Sequence, residues 1–177
     1  LLQAAQLRRA ALAVADSGKI TLDLGTFAAF DAVTGATLRG APATGLRVVD
    51  SLAARLVKSG SWLDRSDLAV ATAYAQLGRT DRAKALVSEF ERSATREERL
   101  MEWGVWQGAL GEIALTEGRT DEAIAAFKRS ARSDTGVVVS AYSGLTALRL
   151  ARAYDKAGQA DSALRYFERL TAPEMLA

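Results

Sequence analysis

The apolar residues of the chain recur at the spacing of an α-helix in three separate segments. In the first segment, Leu68, Ala71 and Ala75 fall on one stripe of a helix. The segments WGVWQGALGEIALTEG and AYSGLTALRLARAYDKAG follow the same period, and all three segments end at a glycine. Because residues at i, i+3, i+4 and i+7 share one face of a helix, the pattern predicts three helices of three or more turns.

Three glycines, Gly78, Gly118 and Gly158, lie 40 residues apart and mark an internal repeat. Each is followed by an aspartate three residues later, an alanine five residues later and a bulky apolar residue nine residues later. The bulky residues, expected to fill the groove between helices, are Val87, Phe127 and Phe167. Because a glycine often ends a helix in the left-handed conformation, the spacing predicts three helical hairpins with a turn at each glycine.

Several polar residues lie where helices are expected to begin. Thr80 and Thr120 follow two of the turn glycines, and we expect their hydroxyl groups to cap the second helices of those hairpins. Thr95 and Glu98 form the pattern T-x-x-E, in which each side chain accepts a hydrogen bond from the backbone N–H of the other residue. This capping box predicts the start of the helix that contains WGVWQGALGEIALTEG.

The order of small residue, tyrosine, glycine, alanine and phenylalanine resembles the tetratricopeptide repeat. The residues that carry the resemblance are Ala71, Tyr74, Gly78 and Ala83, then Gly111, Ala114, Gly118, Ala123 and Phe127, then Ala151, Tyr154, Gly158, Ala163 and Phe167. Pro173 lies near the position of the family's closing proline. The resemblance implies an all-α fold of stacked antiparallel helical hairpins, an α-solenoid with three clear repeats and a degenerate N-terminal one.

The resemblance divides the chain into two parts of one continuous array. Residues 1–60 hold N-terminal helices and the degenerate repeat, and residues 61–177 hold the three clear hairpins. We expect these hairpins at residues 61–97, 98–137 and 138–173. The family's repeat is about 34 residues long, so the 40-residue period leaves extra residues. They are predicted to lengthen helices or to widen the turns around residues 93–96 and 133–136.

A degenerate repeat can be placed over the segment that precedes the clear ones. Gly40 is its expected turn glycine, with Gly45 in place of the small residue and Val49 in place of the bulky one. The first helix is predicted at about residues 24–38 and the second at about residues 42–59. The second segment is amphipathic, with Leu46, Val49, Leu52 and Leu56 on one stripe, which favours this interpretation.

The rest of the N-terminal region is open to more than one interpretation. Residues 1–17 are predicted to form a further helix, either a cap or the second half of a truncated hairpin. For residues 19–40 the competing interpretation is a pair of strands, because ITLDLG alternates apolar and polar residues. The segment TFAAFDAVTGATLRG is similar to one strand–turn–strand piece of a β-propeller blade. One such piece cannot close a propeller, so the helical interpretation is favoured.

The composition limits the chemistry that the chain could perform. The sequence contains no His, no Cys and no Asn. Haem, iron–sulfur and most zinc or copper sites depend on His or Cys, as do Ser-His-Asp and Cys-His catalytic centres. Glu97, Glu98 and Glu102 cluster at a helix start, where capping explains them. We therefore expect a protein that is not an enzyme and that holds no metal and no cofactor.

The charge balance also narrows the class of partner. Lys and Arg number 23 and Asp and Glu 21, so the formal net charge is +2. Such a balance produces no strong field for nucleic acid or anionic lipid. No apolar run approaches the roughly 18 residues that cross a membrane. We therefore expect a protein or peptide partner rather than nucleic acid or a membrane.

The resemblance places a partner-binding groove on the concave face, which the first helices of the hairpins line. The groove residues that it implies are Arg65, Leu68, Thr72 and Gln76, then Val105, Glu112 and Leu115, then Leu145, Leu148, Arg152, Asp155 and Lys156. Apolar members would anchor the partner, while Arg152 and Lys156 would pair with its charges. The competing interpretation is a solvated surface. Chaperone-tail binding is disfavoured, because the family's carboxylate clamp uses Asn.

The resemblance implies a non-catalytic scaffold that binds a peptide or protein on its concave face. One alternative is a regulatory or sensory segment of a larger bacterial signalling protein, such as a kinase or transcription regulator, which the start without Met favours. Another is self-assembly, in which the last hairpin contacts a second copy or missing parts of a longer chain. Trp103 and Trp106 either stack on a ligand or, as we favour, pack between hairpins.

Overall fold

The chain is helical throughout the part that the computed structural model describes, which comprises residues 24–54, 56, 66–131 and 139–170. Within these ranges the helices are α1 (Leu24–Leu38), α2 (Pro42–Ala53), α3 (Asp67–Gln76), α4 (Thr80–Ser93), α5 (Arg96–Met101), α6 (Trp103–Thr116), α7 (Thr120–Ala131), α8 (Val139–Lys156) and α9 (Ala160–Leu170). None of the described residues belongs to a strand. This order of elements confirms the predicted all-α fold of helical hairpins.

Four glycines in the left-handed conformation end the first helices of four hairpins. They are, with their φ angles, Gly40 (59°), Gly78 (81°), Gly118 (80°) and Gly158 (71°). At the second of these turns, the Gly78 N–H donates to the Ala75 carbonyl at 3.0 Å and the Arg79 N–H donates to the Tyr74 carbonyl at 2.8 Å. Equivalent bonds close the other three turns, as in a Schellman motif. The predicted turn glycines are therefore confirmed.

The second helices begin at the threonines themselves and not after them. In α4 the residue in the N-cap position is Arg79, which makes no side-chain capping bond, and Thr80 is the first helical residue. Helix α7 likewise begins at Thr120. The prediction that these threonines are N-caps was therefore wrong by one residue. The physical reason is the turn, because the residue after the glycine closes one helix and immediately starts the next.

The extra residues of the 40-residue period form a short helix of their own, α5, between α4 and α6. The Thr95 hydroxyl accepts a hydrogen bond from the Glu98 N–H at 3.2 Å, and the Glu98 carboxylate accepts one from the Thr95 N–H at 2.9 Å. The capping box is confirmed, although it starts this short helix and not the long one. Residues 133–136 lie outside the described ranges, and the repeat boundaries stay predictions.

Helices α1 and α2 form the hairpin predicted for the degenerate repeat. A Cβ atom at Gly45 would lie 2.6 Å from the Ala36 Cβ, so only glycine permits this approach of the two helices. Val49 is fully buried behind it. The helical interpretation of residues 24–38 is confirmed, and α2 ends at Ala53, earlier than expected. The helix predicted for residues 1–17 lies outside the described residues.

Small residues allow the bulky side chains of the second helices to enter the core. The Phe127 ring is fully buried and fills the space where a side chain at Gly111 would lie. Val87 is buried at the equivalent position one repeat earlier. Phe167, however, is 40% exposed, so the prediction that it fills a groove was wrong. Among the described helices α9 packs mainly against α8, whereas Phe127 of α7 lies in a buried cluster with residues of α8.

The two tryptophans at the start of α6 pack between helices, and the packing against the preceding hairpin that the sequence favoured is seen for Trp106. The Trp103 indole N–H donates to the Arg129 carbonyl of α7 at 3.2 Å. The Trp106 indole N–H donates to the Glu91 carboxylate of α4 at 3.1 Å. Their rings meet edge to face, with centroids 5.6 Å apart. Both polar groups are thereby satisfied by the protein, which supports a packing role.

The contact between Gly111 and Phe127 gives a stability prediction. Replacing Gly111 with Ala should destabilise the chain by about 1–2 kcal/mol, because overpacking a buried ring outweighs the gain in helix propensity. Gly35→Ala is the matched control, since its Cβ would meet only the mobile end of the exposed Arg39 side chain. Urea unfolding should show a lower free energy for the first variant alone. Stabilisation by Gly111→Ala would contradict this account.

Candidate partner-binding surface

The first helices α3, α6 and α8 are joined side by side through hydrogen bonds at their last turns. The Thr116 hydroxyl of α6 donates to the Ala75 carbonyl of α3 at 2.9 Å. The Lys156 ammonium of α8 donates to the Leu115 carbonyl of α6 at 2.8 Å. Donors and acceptors are each 40 residues apart, so two successive repeats use the same bond with different side chains. We call the surface that these three helices share the first-helix face.

A buried carboxylate lies at the centre of the first-helix face. Glu112 on α6 is fully buried, and the Gln76 amide of α3 donates to its Oε1 at 2.8 Å. From α8, the Arg149 Nε lies 3.3 Å from the same oxygen, and Arg152 donates to it at 3.3 Å. A buried ionised carboxylate requires charged partners and hydrogen bonds. Glu112 therefore connects three helices through one polar network.

The position of Arg149 depends on a glycine in the neighbouring helix. Its guanidinium group occupies the space where a Cβ atom at Gly108 would lie. The Arg149 side chain is only 9% exposed, whereas that of Arg152 is 44% exposed. The two arginines thus contact the same carboxylate in different ways. Arg149 is buried between helices, while Arg152 presents part of its guanidinium group to solvent.

The structure separates the predicted groove residues into buried and accessible sets. The buried residues are Leu68, Thr72, Glu112 and Leu115. The exposed residues are Leu148, Arg152, Asp155 and Lys156, and the half-buried ones are Gln76, Val105 and Leu145. Arg65 lies outside the described residues. Burial removes the first set from direct contact with a partner, and the Thr72 hydroxyl instead donates to the Leu68 carbonyl at 2.8 Å.

Two residues of this region were missed by the sequence reasoning. Arg149 contacts Glu112, and the buried Gln107 accepts a hydrogen bond from the Arg129 Nε of α7 at 2.7 Å. The family pattern directs attention to Leu148 and Arg152, so Arg149 was not considered. The available signal was Gly108, since a glycine inside a helix often permits the close approach of another group.

A second charged cluster lies where α6 ends. The Glu117 carboxylate lies 2.5 Å from the Lys84 ammonium of α4 and 2.7 Å from the Arg119 guanidinium. Hydrogen bonds from Lys84, Arg119 and Thr80 hold the pKa of Glu117 at about 2, well below its ordinary value of 4.5. The cluster connects α4 to the turn of the following hairpin. Its contribution to stability is therefore expected to depend on pH.

The described part of the chain has no side-chain cluster typical of a metal site and no helix typical of a membrane span. There, no group of three or more His, Cys, Asp or Glu residues is arranged to hold a metal ion. None of the described helices is both long enough and apolar enough to cross a bilayer. The polar chemistry of this part lies instead in ion pairs between neighbouring helices.

Helical hairpins with left-handed glycine turns, stacked through small buried residues, define the class of helical-repeat proteins. Residues 107–135 match the family model of the tetratricopeptide repeat. The matched segment includes most of α6, the turn at Gly118 and the whole of α7. The chain therefore carries a tetratricopeptide repeat, as the sequence pattern predicted. No curated protein and no solved structure matches the chain.

The polar network at Glu112 gives a second stability prediction. Glu112→Gln should lower the free energy of unfolding by about 3 kcal/mol, because the ion pairs of the buried Glu112 with Arg149 and Arg152 would be lost. Glu122→Gln is the control, since that carboxylate is 65% exposed and pairs only at the surface. Chemical denaturation of both variants would measure the difference. Equal stability of Glu112→Gln and the wild type would show that the network does not hold the helices together.

Glu117 gives a prediction about pH. Its pKa is lowered in the folded state, so its stabilising effect is complete above the ordinary pKa of 4.5 and is lost as pH falls towards 2. The free energy of unfolding of the wild type should therefore exceed that of Glu117→Gln at pH 6. The difference should shrink between pH 5 and pH 2. A difference that stays constant over this interval would contradict the assignment of the shift to the ionised carboxylate.

Proposed function

We propose that the chain is a non-catalytic interaction module that binds a peptide or protein partner across the first-helix face. Tetratricopeptide repeats as a class mediate interactions between proteins, and the chain carries one. The observation that carries the proposal is the pairing of an accessible apolar side chain with accessible charges. Leu148 is 37% exposed, and the side chain of Arg152, one helical turn away, is 44% exposed.

The spacing on α8 indicates the chemistry of the partner. Leu148, Arg152 and Lys156 are four residues apart and therefore form one stripe along the helix. Leu145 and Val105 are half-buried and extend the apolar part of the face. We infer that the partner presents an apolar side chain to Leu148 and an acidic group to Arg152 and Lys156. Asp155 is also exposed, and its negative charge would disfavour a partner whose whole contact surface is acidic.

The ion pairs already present on the face are compatible with this role. Arg152 contacts Glu112 through one of its terminal nitrogens, and a guanidinium group has five N–H donors in all. An acidic group of a partner would therefore add to an existing interaction and would not need to break it. The buried Glu112 orients the guanidinium group before binding, which reduces the entropy that the partner must offset.

Site-specific photo-crosslinking would test the proposal. A photoreactive phenylalanine derivative replaces Leu148 in one variant and Leu38, which is 76% exposed on α1, in a control variant. A third variant carries it at Phe167. After irradiation in a lysate of the source organism, we expect a discrete adduct at position 148 that is absent at position 38. Adding Arg152→Glu to the first variant should weaken that adduct, because it reverses one charge on the face.

Each outcome distinguishes the candidate functions. Adducts of equal yield at positions 148 and 38 would show non-specific contact and would contradict the proposal. A homodimer adduct confined to position 167 would instead support self-assembly through α9. An adduct at position 148 with another segment of the same longer polypeptide would support the alternative of a regulatory segment in a signalling protein.

A further inference from the structure

Two first helices carry a tyrosine four residues before the turn glycine, and the first of these tyrosines has charged partners on both sides. The Tyr74 hydroxyl donates to the Asp50 carboxylate of α2 at 2.7 Å. Arg82 of α4 pairs with the same carboxylate and lies over the Tyr74 ring, 5.5 Å from its centroid. The surroundings of Tyr74 are therefore occupied by a carboxylate and a guanidinium group of the chain itself.

The equivalent cleft around Tyr154 has different residues at the same repeat positions. Asp50 lies ten residues after Gly40, the turn glycine of the hairpin that precedes Tyr74. The hairpin that precedes Tyr154 turns at Gly118, and the residue ten positions later is Lys128. Arg82 lies four residues after the turn glycine Gly78, and the residue four positions after Gly158 is Ser162. A cation thus replaces the carboxylate, and a neutral hydroxyl replaces the guanidinium group.

Aromatic and cationic groups form a layered arrangement in the Tyr154 cleft. The Lys128 ammonium lies 5.6 Å from the centroid of the Tyr154 ring. That ring stacks on Tyr166 of α9 at 5.6 Å with an angle of 15° between the planes. Arg169 lies over the Tyr166 ring, again at 5.6 Å. Such cation–π contacts hold the charged groups in place beside the cleft.

A cavity of about 510 Å³ opens beside these rings between α8 and α9. Its lining consists of Tyr154, Ser162, Arg165, Tyr166 and Arg169. The lining therefore brings together two arginines, two tyrosines and one serine, and it includes no carboxylate. Arginine matches oxyanions in charge and in the geometry of its N–H donors.

We propose that the Tyr154 cleft binds a small oxyanion, a phosphate or carboxylate group of a ligand, in the cavity between the Tyr154 ring and the arginines of α9. Arg165 and Arg169, one helical turn apart on α9, supply the charge-assisted hydrogen bonds. The Ser162 and tyrosine hydroxyl groups supply further donors. The proposal concerns a different surface from the first-helix face and does not rest on the protein partner proposed there.

NMR titration of the full chain with inorganic phosphate and, separately, with succinate tests this proposal at constant ionic strength. We expect saturable shifts of the amide signals of residues 162–169 with at least one probe. A phosphate response identifies a phosphate ligand and a succinate response a carboxylate ligand. Arg165→Gln/Arg169→Gln should weaken binding at least about tenfold, since one charge-assisted hydrogen bond contributes more than that change requires.

The control variant, Arg47→Gln/Arg92→Gln, removes the same charge from exposed positions on α2 and α4. It should bind both probes as the wild type does, and circular dichroism should show equal helicity for all variants. No saturable shift at residues 162–169 with either probe would overturn the proposal. An equal loss of binding in the control variant would also overturn it, because the effect would then reflect net charge alone.

A third variant tests the comparison between the two clefts. Lys128→Asp places a carboxylate at the position that Asp50 has beside Tyr74. Binding of the responsive probe should fall at least about tenfold, because the substitution removes the cation beside the Tyr154 ring and puts an anion in its place. Binding at the wild-type affinity would show that the charge beside the Tyr154 ring does not act on the bound oxyanion and would overturn the inference.

Discussion

The arrangement of the helices depends on one backbone constraint, the left-handed conformation of the glycine at each hairpin turn. Glycine adopts a positive φ at little cost, and the same two backbone hydrogen bonds then close every turn. The second helix therefore leaves each turn in the same direction. Equivalent residues of successive clear hairpins, 40 positions apart, consequently meet equivalent neighbours. Because the surroundings repeat in this way, a change of residue type at one repeat position changes the chemistry of that part of the surface.

The first-helix face shows how one position takes on different roles in successive repeats. Thr72, Glu112 and Arg152 occupy equivalent positions, yet the first is a buried hydroxyl and the other two form an ion pair across helices. Glu112 is buried between the helices, while Arg152 of the same ion pair is partly exposed to solvent. Stability and recognition are thus coupled on this face, because the residue that would meet a partner also balances a buried charge.

Helix α8 connects the two candidate sites. Arg152 and Lys156 belong to the first-helix face, while Tyr154 lies between them in sequence and enters the cleft with α9. Adjacent residues of a helix point in different directions, so one helix contributes to both surfaces. Both sites depend on the stacking of the hairpins, because a single hairpin could not bury enough apolar surface to keep its helices in place.

The sequence by itself determined the paired helices of the hairpins, the turn glycines and the small residues behind them, because helical spacing and the conformational freedom of glycine are local properties. It also identified Arg152 and Lys156 as candidate contacts. Only the tertiary structure decided that Glu112 is buried, that Arg149 reaches it over Gly108, and that Phe167 is exposed. Those outcomes depend on which helix covers which face, and the burial of a side chain is a property of its neighbours in space.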